Sequence, residues 1–170
     1  MDIRSTKLRS NVQVSRVLPI LAVSAMSLLF FFGCGKSDSK MKSNWKGGLL
    51  TEVGSYQRSS TGVLVNVWID QEHLVRYSIS APGGRQLIRS SERASAYSKW
   101  IIYFDDNGWL WFDSSDIGSS VAKKSPDGTY QEVQISDQPD LIRMMPQEFF
   151  DRLPRSIQAR WKDYRSRIGK

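Results

Sequence analysis

The segment around Asn107-Gly108 constrains the fold more than any other part of the chain. Apolar and aromatic residues lead up to it and away from it, and Asp-Asn-Gly is typical of a three-residue hairpin loop with glycine in the left-handed conformation. Such a loop fixes the pairing of the strands that it joins. We therefore predict a hairpin in which Asp105 faces Trp109. The further predicted pairs are Phe104 with Leu110, Tyr103 with Trp111, Ile102 with Phe112, Ile101 with Asp113, and Trp100 with Ser114.

The two faces of the predicted hairpin differ in composition. One face is largely apolar, and we expect it to lie in the core. The other face carries three aromatic side chains and one carboxylate: Tyr103, Trp109, Trp111 and Asp113. Either a C-terminal helix or a second sheet covers these side chains, or they form an exposed platform that binds a sugar ring or a peptide. These four residues are the candidate binding face.

Strand-like alternation extends from Leu49 to Ile135, with turn residues between the alternating runs. The predicted strands are Leu49–Val53, Val63–Asp70, Leu74–Ser80, Arg85–Ser90, Lys99–Phe104, Trp109–Ser114 and Thr129–Ile135. Consecutive short strands with tight turns favour an antiparallel meander. The predicted fold class is therefore mainly β (α+β): an antiparallel meander sheet, curled as a half-barrel or a sandwich, with C-terminal α-helices.

The C-terminal segment has the periodicity of helices. Two short helices are predicted over Pro139–Met145, capped by Ser136 or Asp137, and over Pro146–Leu153. A third, from Arg155 to Ile168, carries an apolar stripe. The stripe consists of Ile157, Trp161, Tyr164 and Ile168, and the basic flank includes Arg160, Lys162, Arg165 and Arg167. Such a helix either docks on the domain or lies on an anionic membrane, so these four basic residues are candidate membrane or partner contacts.

The amino-terminal segment has the three-part order of a secretory signal peptide. Residues 1–16 are polar and basic, residues 17–32 carry no charge, and Gly33-Cys34 follows directly. The uncharged run of 16 residues is shorter than the roughly 20 residues that a membrane-spanning helix needs. Export with cleavage is therefore the leading interpretation, and a retained transmembrane anchor is the alternative.

The end of this leader, Phe31-Phe32-Gly33-Cys34, resembles the lipobox of bacterial lipoproteins. Phe31 and Phe32 stand where that motif usually has Leu and a small residue, and the resemblance covers the leader alone. It implies acylation of the Cys34 thiol, cleavage before it, and anchoring to the inner or outer membrane. The domain would then face the periplasm or the cell exterior. The alternative is an unlipidated leader in which Cys34 has no role.

Charge and leader together suggest four regions. We expect a signal peptide over 1–33, a lipidated Cys and flexible tether over 34–44, an antiparallel β domain over 45–136, and a helical basic tail over 137–170 packed on the domain. Residues 35–142 carry twelve basic and thirteen acidic residues, whereas residues 143–170 carry eight and three. The near-neutral body argues against nucleic acid as a partner.

The residues for nucleophilic catalysis are scarce. Cys34 is the only cysteine and His73, in a predicted turn, is the only histidine, so Cys/His and Ser/His/Asp schemes and Cys-based zinc sites lack parts. We predict no catalytic residue, cofactor or metal. The leading hypothesis is a non-enzymatic envelope lipoprotein whose domain binds an envelope protein or a glycan. The alternative is a carboxylate-dependent hydrolase, for which Asp105 and Asp113 would have to converge in a cleft.

Overall fold

Residues 41–167 are the part of the chain that the computed structural model describes, and the side chains of Arg165 and Arg167 lie outside that description. The strands are β1 (Met41–Trp45), β2 (Gly48–Leu50), β3 (Gly54–Arg58), β4 (Leu64–Ile69), β5 (Leu74–Ser80), β6 (Gln86–Arg89), β7 (Ala94–Ser95), β8 (Trp100–Phe104), β9 (Leu110–Ser114), β10 (Gly118–Lys124) and β11 (Tyr130–Gln134). A 3₁₀ helix spans Pro139–Arg143, and two α-helices follow, α1 (Gln147–Phe150) and α2 (Arg155–Arg167).

The hairpin around Asn107-Gly108 has the predicted register. β8 pairs with β9 through all five of the predicted pairs, from Phe104–Leu110 to Trp100–Ser114. Gly108 has a φ of 79°, in the left-handed region that favours glycine. The main-chain N–H of Asp105 donates to the carbonyl of Trp109 at 2.9 Å. The loop chemistry therefore sets the register, as the sequence predicts.

The strands form two sheets that pack face to face. Sheet A has the order β1-β3-β4-β5-β6, with β7 beside β5, and sheet B has the order β11-β10-β9-β8-β2. All pairs are antiparallel except β1 with β3, which is parallel. Neither sheet closes into a barrel, and helices follow the last strand. The mainly β fold class with C-terminal helices is confirmed.

Two apolar cores lie on opposite faces of sheet B. The first, here the sandwich core, joins the two sheets and includes Tyr56, Val65, Tyr77, Ile79, Ile102 and Phe112. The second, here the helical core, joins the outer face of sheet B to the C-terminal helices and includes Trp109, Trp111, Val121, Phe149, Leu153 and Trp161. Because sheet B is covered on both faces, alternate residues along β8 and β9 enter different cores.

The second predicted hairpin also forms. β5 has the predicted bounds, and Val65 and Val67 of β4 pair with Ile79 and Tyr77 in the sandwich core. His73 lies in the intervening turn, exposed to solvent and with a φ of 58°.

Four strands were not predicted, and one of them, β1, extends beyond the predicted β domain. β1 begins at Met41, within the segment predicted as a flexible tether over 34–44. Its sequence is polar because β1 is an exposed edge strand, and it therefore resembles the sequence of a tether. β10 is mostly small and polar, yet it lies inside sheet B, where Val121 faces the helical core and Ala122 the sandwich core. The remaining two, β3 and β7, are short.

The helical tail starts differently from the prediction. Gln138 precedes the first helix without a side-chain cap hydrogen bond, so the predicted capping by Ser136 or Asp137 is wrong. That helix is of the 3₁₀ type, and α1 ends at Phe150 rather than at Leu153. α2 follows the predicted helix through Arg167, and Ile168 lies outside the described residues.

The predicted signal peptide and Cys34 also lie outside the described residues. Within residues 41–167, none of the helices has the length and apolar character that crossing a membrane requires.

Candidate binding groove beside the C-terminal helix

The candidate binding face lies beneath the helical layer. Trp109, Trp111 and Asp113 are buried and Tyr103 is partly buried. The ring of Phe149, in α1, lies 6.2 Å from that of Trp111 and 6.4 Å from that of Tyr103. The aromatic side chains therefore take part in the helical core, as in the covered alternative of the sequence analysis.

Asp105 is hydrogen-bonded to two residues of the candidate binding face. Its carboxylate accepts the main-chain N–H of Trp109 at 2.8 Å and the indole N–H of Trp111 at 2.9 Å. The main-chain oxygen of Asp105 accepts a hydrogen bond from the buried guanidinium of Arg58 at 2.9 Å. The same guanidinium pairs with Asp106 at 2.7 Å. Both carboxylate oxygens of Asp105 thus accept protein donors in the core.

Asp113 lies at the far end of β9 from Asp105. Asp105 is opposite Trp109, and Asp113 follows four residues later, which places the main chains of the two residues about 14 Å apart along the strand at about 3.4 Å per residue. Paired glycosidase carboxyls lie about 5 to 10 Å apart around an open cleft. Here Trp111 lies between the two, so Asp105 and Asp113 do not converge.

Burial raises the pKa of Asp113, and a hydrogen bond from the hydroxyl of Ser119 opposes that shift. Asp113 also borders a cavity of about 290 Å³ together with Lys99, Trp100 and Arg152. One carboxylate with one hydroxyl donor lacks the second carboxyl group that the hydrolase hypothesis requires.

The fold brings together a pair of carboxylates that the sequence analysis did not connect. Glu132 in β11 accepts hydrogen bonds from Tyr77 on one oxygen and, on the other, from the main-chain N–H and hydroxyl of Ser91, at 2.9 and 2.5 Å. Glu92 accepts the Gln134 side-chain amide at 2.8 Å. Burial raises the pKa of Glu92, and the nearby Glu132 adds to the shift. This network joins the two sheets and has its acceptors occupied, which favours a structural role.

The basic residues of α2 are on its surface. Arg160 and Lys162 are exposed, whereas the side chains of Arg165 and Arg167 lie outside the described residues. Trp161 of the apolar stripe is buried in the helical core, Ile157 is partly buried, and Tyr164 is exposed. The apolar stripe therefore docks α2 on sheet B through Trp161 and Ile157, while Tyr164, nearer the C-terminal end of α2, stays exposed to solvent.

A groove of about 310 Å³ runs between α2, the 3₁₀ helix and the start of β10. Its apolar wall includes Ile117, Ile142, Ile157, Trp161 and Tyr164. Its polar groups include Ser119, Gln134, Ser136 and Arg160. None of the described residues that line it is acidic, so its one formal charge is the Arg160 guanidinium. We call this site the α2 groove.

One wall of the α2 groove could be predicted from the sequence. Arg160, Trp161 and Tyr164 belong to the predicted C-terminal helix, whereas Ile117 precedes the strand β10 and Ser119 lies in it, and β10 was not predicted. The sequence does carry one sign of β10. Gly118, two residues after Asp116, has a φ of 85° and marks a turn between paired strands.

The described residues hold no group of three or more His, Cys, Asp or Glu side chains arranged to bind a metal ion. Comparisons of the chain with protein-family models, with curated proteins and with solved structures find no match.

Replacing Trp111 with Ala tests whether the aromatic face is core. Removing a fully buried Trp and leaving Asp105 without its indole donor should lower the free energy of unfolding by about 3 to 5 kcal/mol. Tyr97→Ala, which truncates an exposed ring, should change it by less than about 0.5 kcal/mol. Urea unfolding measures both, and an unchanged midpoint for Trp111→Ala would contradict the packing described here.

Asp113→Asn should change the pH dependence of stability. Because burial raises the folded-state pKa of Asp113 above its ordinary value of 3.8, the folded protein binds that proton more tightly than the unfolded chain does. The resulting stability is present at acid pH and is lost as the pH rises through the raised pKa. The variant keeps an acceptor for Ser119 and should therefore gain stability relative to the wild type as the pH rises above 3.8 and through the raised pKa.

Asp127→Asn is the matched control, because hydrogen bonds from Thr129 lower the pKa of Asp127. That carboxylate stabilises the fold fully above pH 3.8, and its contribution is lost as the pH falls through the lowered pKa. The control should therefore be less stable than the wild type at neutral pH, and the difference should close at acid pH. Thermal unfolding at several pH values measures both slopes. Equal signs for the two variants would contradict the buried state of Asp113.

Proposed function

We propose that the protein is a bacterial envelope lipoprotein, anchored through Cys34, whose domain is a non-enzymatic binding module. In this proposal the α2 groove takes an apolar peptide segment of an envelope partner. The observation that carries it is the groove itself: it is concave and mainly apolar, and its lining includes a few polar groups and one charged group, the Arg160 guanidinium.

Binding suits the groove better than catalysis does. None of the described lining residues is a carboxylate, a histidine or a cysteine, so the lining itself supplies no base to activate the serine and tyrosine hydroxyls of the groove. The carboxylates Asp105 and Glu132 accept protein donors elsewhere in the fold. The carboxylate hydrolase considered from the sequence therefore gains no support from the geometry.

A peptide side chain suits the groove better than a glycan does. Its volume of about 310 Å³ is at the lower end of the range for ligand pockets, roughly 300 to 1,000 Å³. Trp161 is buried against the fold and presents little ring face for stacking on a sugar. Trp, Tyr and Arg around an apolar pocket are the residues that most often dominate protein interfaces.

The anchor is supported by the order of residues in the chain. Gly33-Cys34 closes the uncharged run, and Cys34 has no other cysteine to pair with. Two or three acyl chains, at about 0.8 kcal/mol per buried methylene, hold a protein on a bilayer where a single chain binds only reversibly. The fold begins soon afterwards, since β1 starts at Met41.

Cys34→Ser should move the protein from the membrane fraction to the soluble fraction, because it removes the thiol that carries the acyl chains. Ser37→Ala, three residues away, is the control and should leave the protein on the membrane. Fractionation with mass spectrometry of the mature amino terminus measures both. If Cys34→Ser stays membrane-bound and uncleaved, the apolar run is the anchor and the lipoprotein proposal is wrong.

Substitutions in the α2 groove should weaken the partner complex. Tyr164→Ala removes apolar surface and Arg160→Glu reverses the charge at the groove, so each should weaken binding about tenfold or more. Arg155→Glu makes the same charge reversal on α2 outside the groove and should leave binding within about twofold. Photo-crosslinking from position 164 in solubilised envelopes identifies the partner, and titration with that partner compares the variants. Equal losses for Arg155→Glu and Arg160→Glu would show general charge attraction instead of groove binding.

A further inference from the structure

Four of the large apolar side chains exposed to solvent lie in separate segments of sheet A. Met41 is 56% exposed, Val53 45%, Ile69 44% and Tyr97 83%. They come from the start of β1, the loop before β3, the end of β4 and the loop after β7. Scattered single exposures are ordinary on a protein surface, whereas a group of them at one place marks an interaction site.

The strand register brings these four segments to the same end of sheet A. Met41 pairs in parallel with Ser55, two residues after Val53. Gly54 pairs with Val67, close to the end of β4 at Ile69. We call this the Met41 end of the domain.

Tyr97 joins the Met41 end through the turn between β4 and β5. Ser95 of β7 pairs with Leu74 at the start of β5. The Tyr97 ring lies 5.6 Å from the ring of His73 in that turn. Turns at the opposite end of the domain, at Asn107 and Asp127, follow the far ends of β8 and β10.

Four charges at the Met41 end form two ion pairs, and the exposed Glu72 in the turn between β4 and β5 adds one negative charge. Lys42 pairs with Glu52 at 2.9 Å and Arg76 with Asp70 at 2.8 Å. Both cations are therefore paired with a carboxylate, which weakens their attraction for anionic lipid. A surface of this kind offers apolar contact with little net attraction for anions or cations.

The chain itself limits how far the Met41 end can lie from the anchor. Cys34 and Met41 are seven positions apart, and extended chain spans at most about 3.5 Å per residue, or about 24 Å in all. With the acyl chains in the bilayer, the start of β1 cannot leave the headgroup region by more than about that distance. The described segment that is nearest the anchor along the chain is thus at the end of the domain with grouped exposed apolar residues.

We propose that the Met41 end docks on the lipid bilayer surface, with Met41, Val53 and Ile69 at the headgroup boundary and Tyr97 at the membrane–water interface. The inference rests on the proposed anchor at Cys34. Tyr is enriched at membrane interfaces because its ring is apolar and its hydroxyl polar. Because the contact is apolar, docking needs no anionic lipid and is little affected by salt. The domain therefore has a fixed orientation on the membrane.

Paramagnetic relaxation in nuclear magnetic resonance tests that orientation. The protein is bound to phosphatidylcholine nanodiscs that contain a lipid with a gadolinium chelate on its headgroup. We expect the amide signals of residues 41, 53, 69 and 97 to broaden strongly and those of Asn107 and Asp127 to stay sharp. Uniform weak broadening, or broadening confined to α2, would overturn the proposal. Broadening at α2 that needs anionic lipid would assign the membrane contact to the basic tail.

Matched variants separate apolar docking from simple proximity to the anchor. Val53→Asp with Tyr97→Asp changes two exposed side chains at the Met41 end and should lose the selective broadening there. Met144→Asp changes a side chain that is 53% exposed in the helical layer and should keep it. If both variants broaden as the wild type does, the tether alone sets the orientation and the docking surface is refuted.

The sample also separates this inference from the lipoprotein proposal. A maleimide lipid coupled to Cys34, the only cysteine, in the mature protein that begins at Cys34 anchors that protein whether or not cells acylate it. Mass spectrometry of the protein from cells tests acylation independently. Native Cys34 without acyl chains would refute the anchor in cells, while loss of selective broadening in the coupled sample would refute docking by the Met41 end.

Discussion

The carboxylate of Asp105 accepts the N–H of Trp109 and the indole N–H of Trp111, while the main-chain oxygen of the same residue accepts a hydrogen bond from Arg58. One residue therefore connects the β8–β9 loop, sheet A and the helical core. Asp105 directly follows β8, at the loop that leads to β9 in sheet B. Sheet B is covered on both faces. Since each face needs a cover to bury its aromatic side chains, the C-terminal helices are part of the fold itself.

This two-sided burial decides where function can reside. The aromatic residues that could have formed a platform fill the helical core, and Asp105 is occupied by donors within it. The α2 groove stays open at the outer edge of the helical layer, and so does the cavity that Asp113 borders. Ile117 of the groove follows Asp116, whose carboxylate accepts the N–H of Ser95 near the Met41 end. On the two proposals together, a partner would reach the groove close to the membrane surface.

Local chemistry explains which features could be predicted from the sequence. The Asp-Asn-Gly loop fixes the register of β8 and β9, and the stripe through Ile157 and Trp161 fixes the docked face of α2, because in both cases neighbours in sequence carry the signal. β10 and β1 were not predicted because their residues are small or polar. These segments form strands only through pairing with neighbouring strands. Only the wall of the α2 groove that α2 forms could be predicted from the sequence, since another wall includes the start of β10.

Exchange of the Trp111 indole proton with solvent tests most directly whether the face of sheet B beneath the helices is permanently core. The proton is buried in a hydrogen bond to Asp105, and its signal can be followed in nuclear magnetic resonance spectra. We expect it to exchange only through global unfolding, with an opening free energy and a urea dependence equal to those of the slowest main-chain amides. Fast exchange with little urea dependence would contradict the account, because it would show that the helices lift from sheet B while the sheets stay folded.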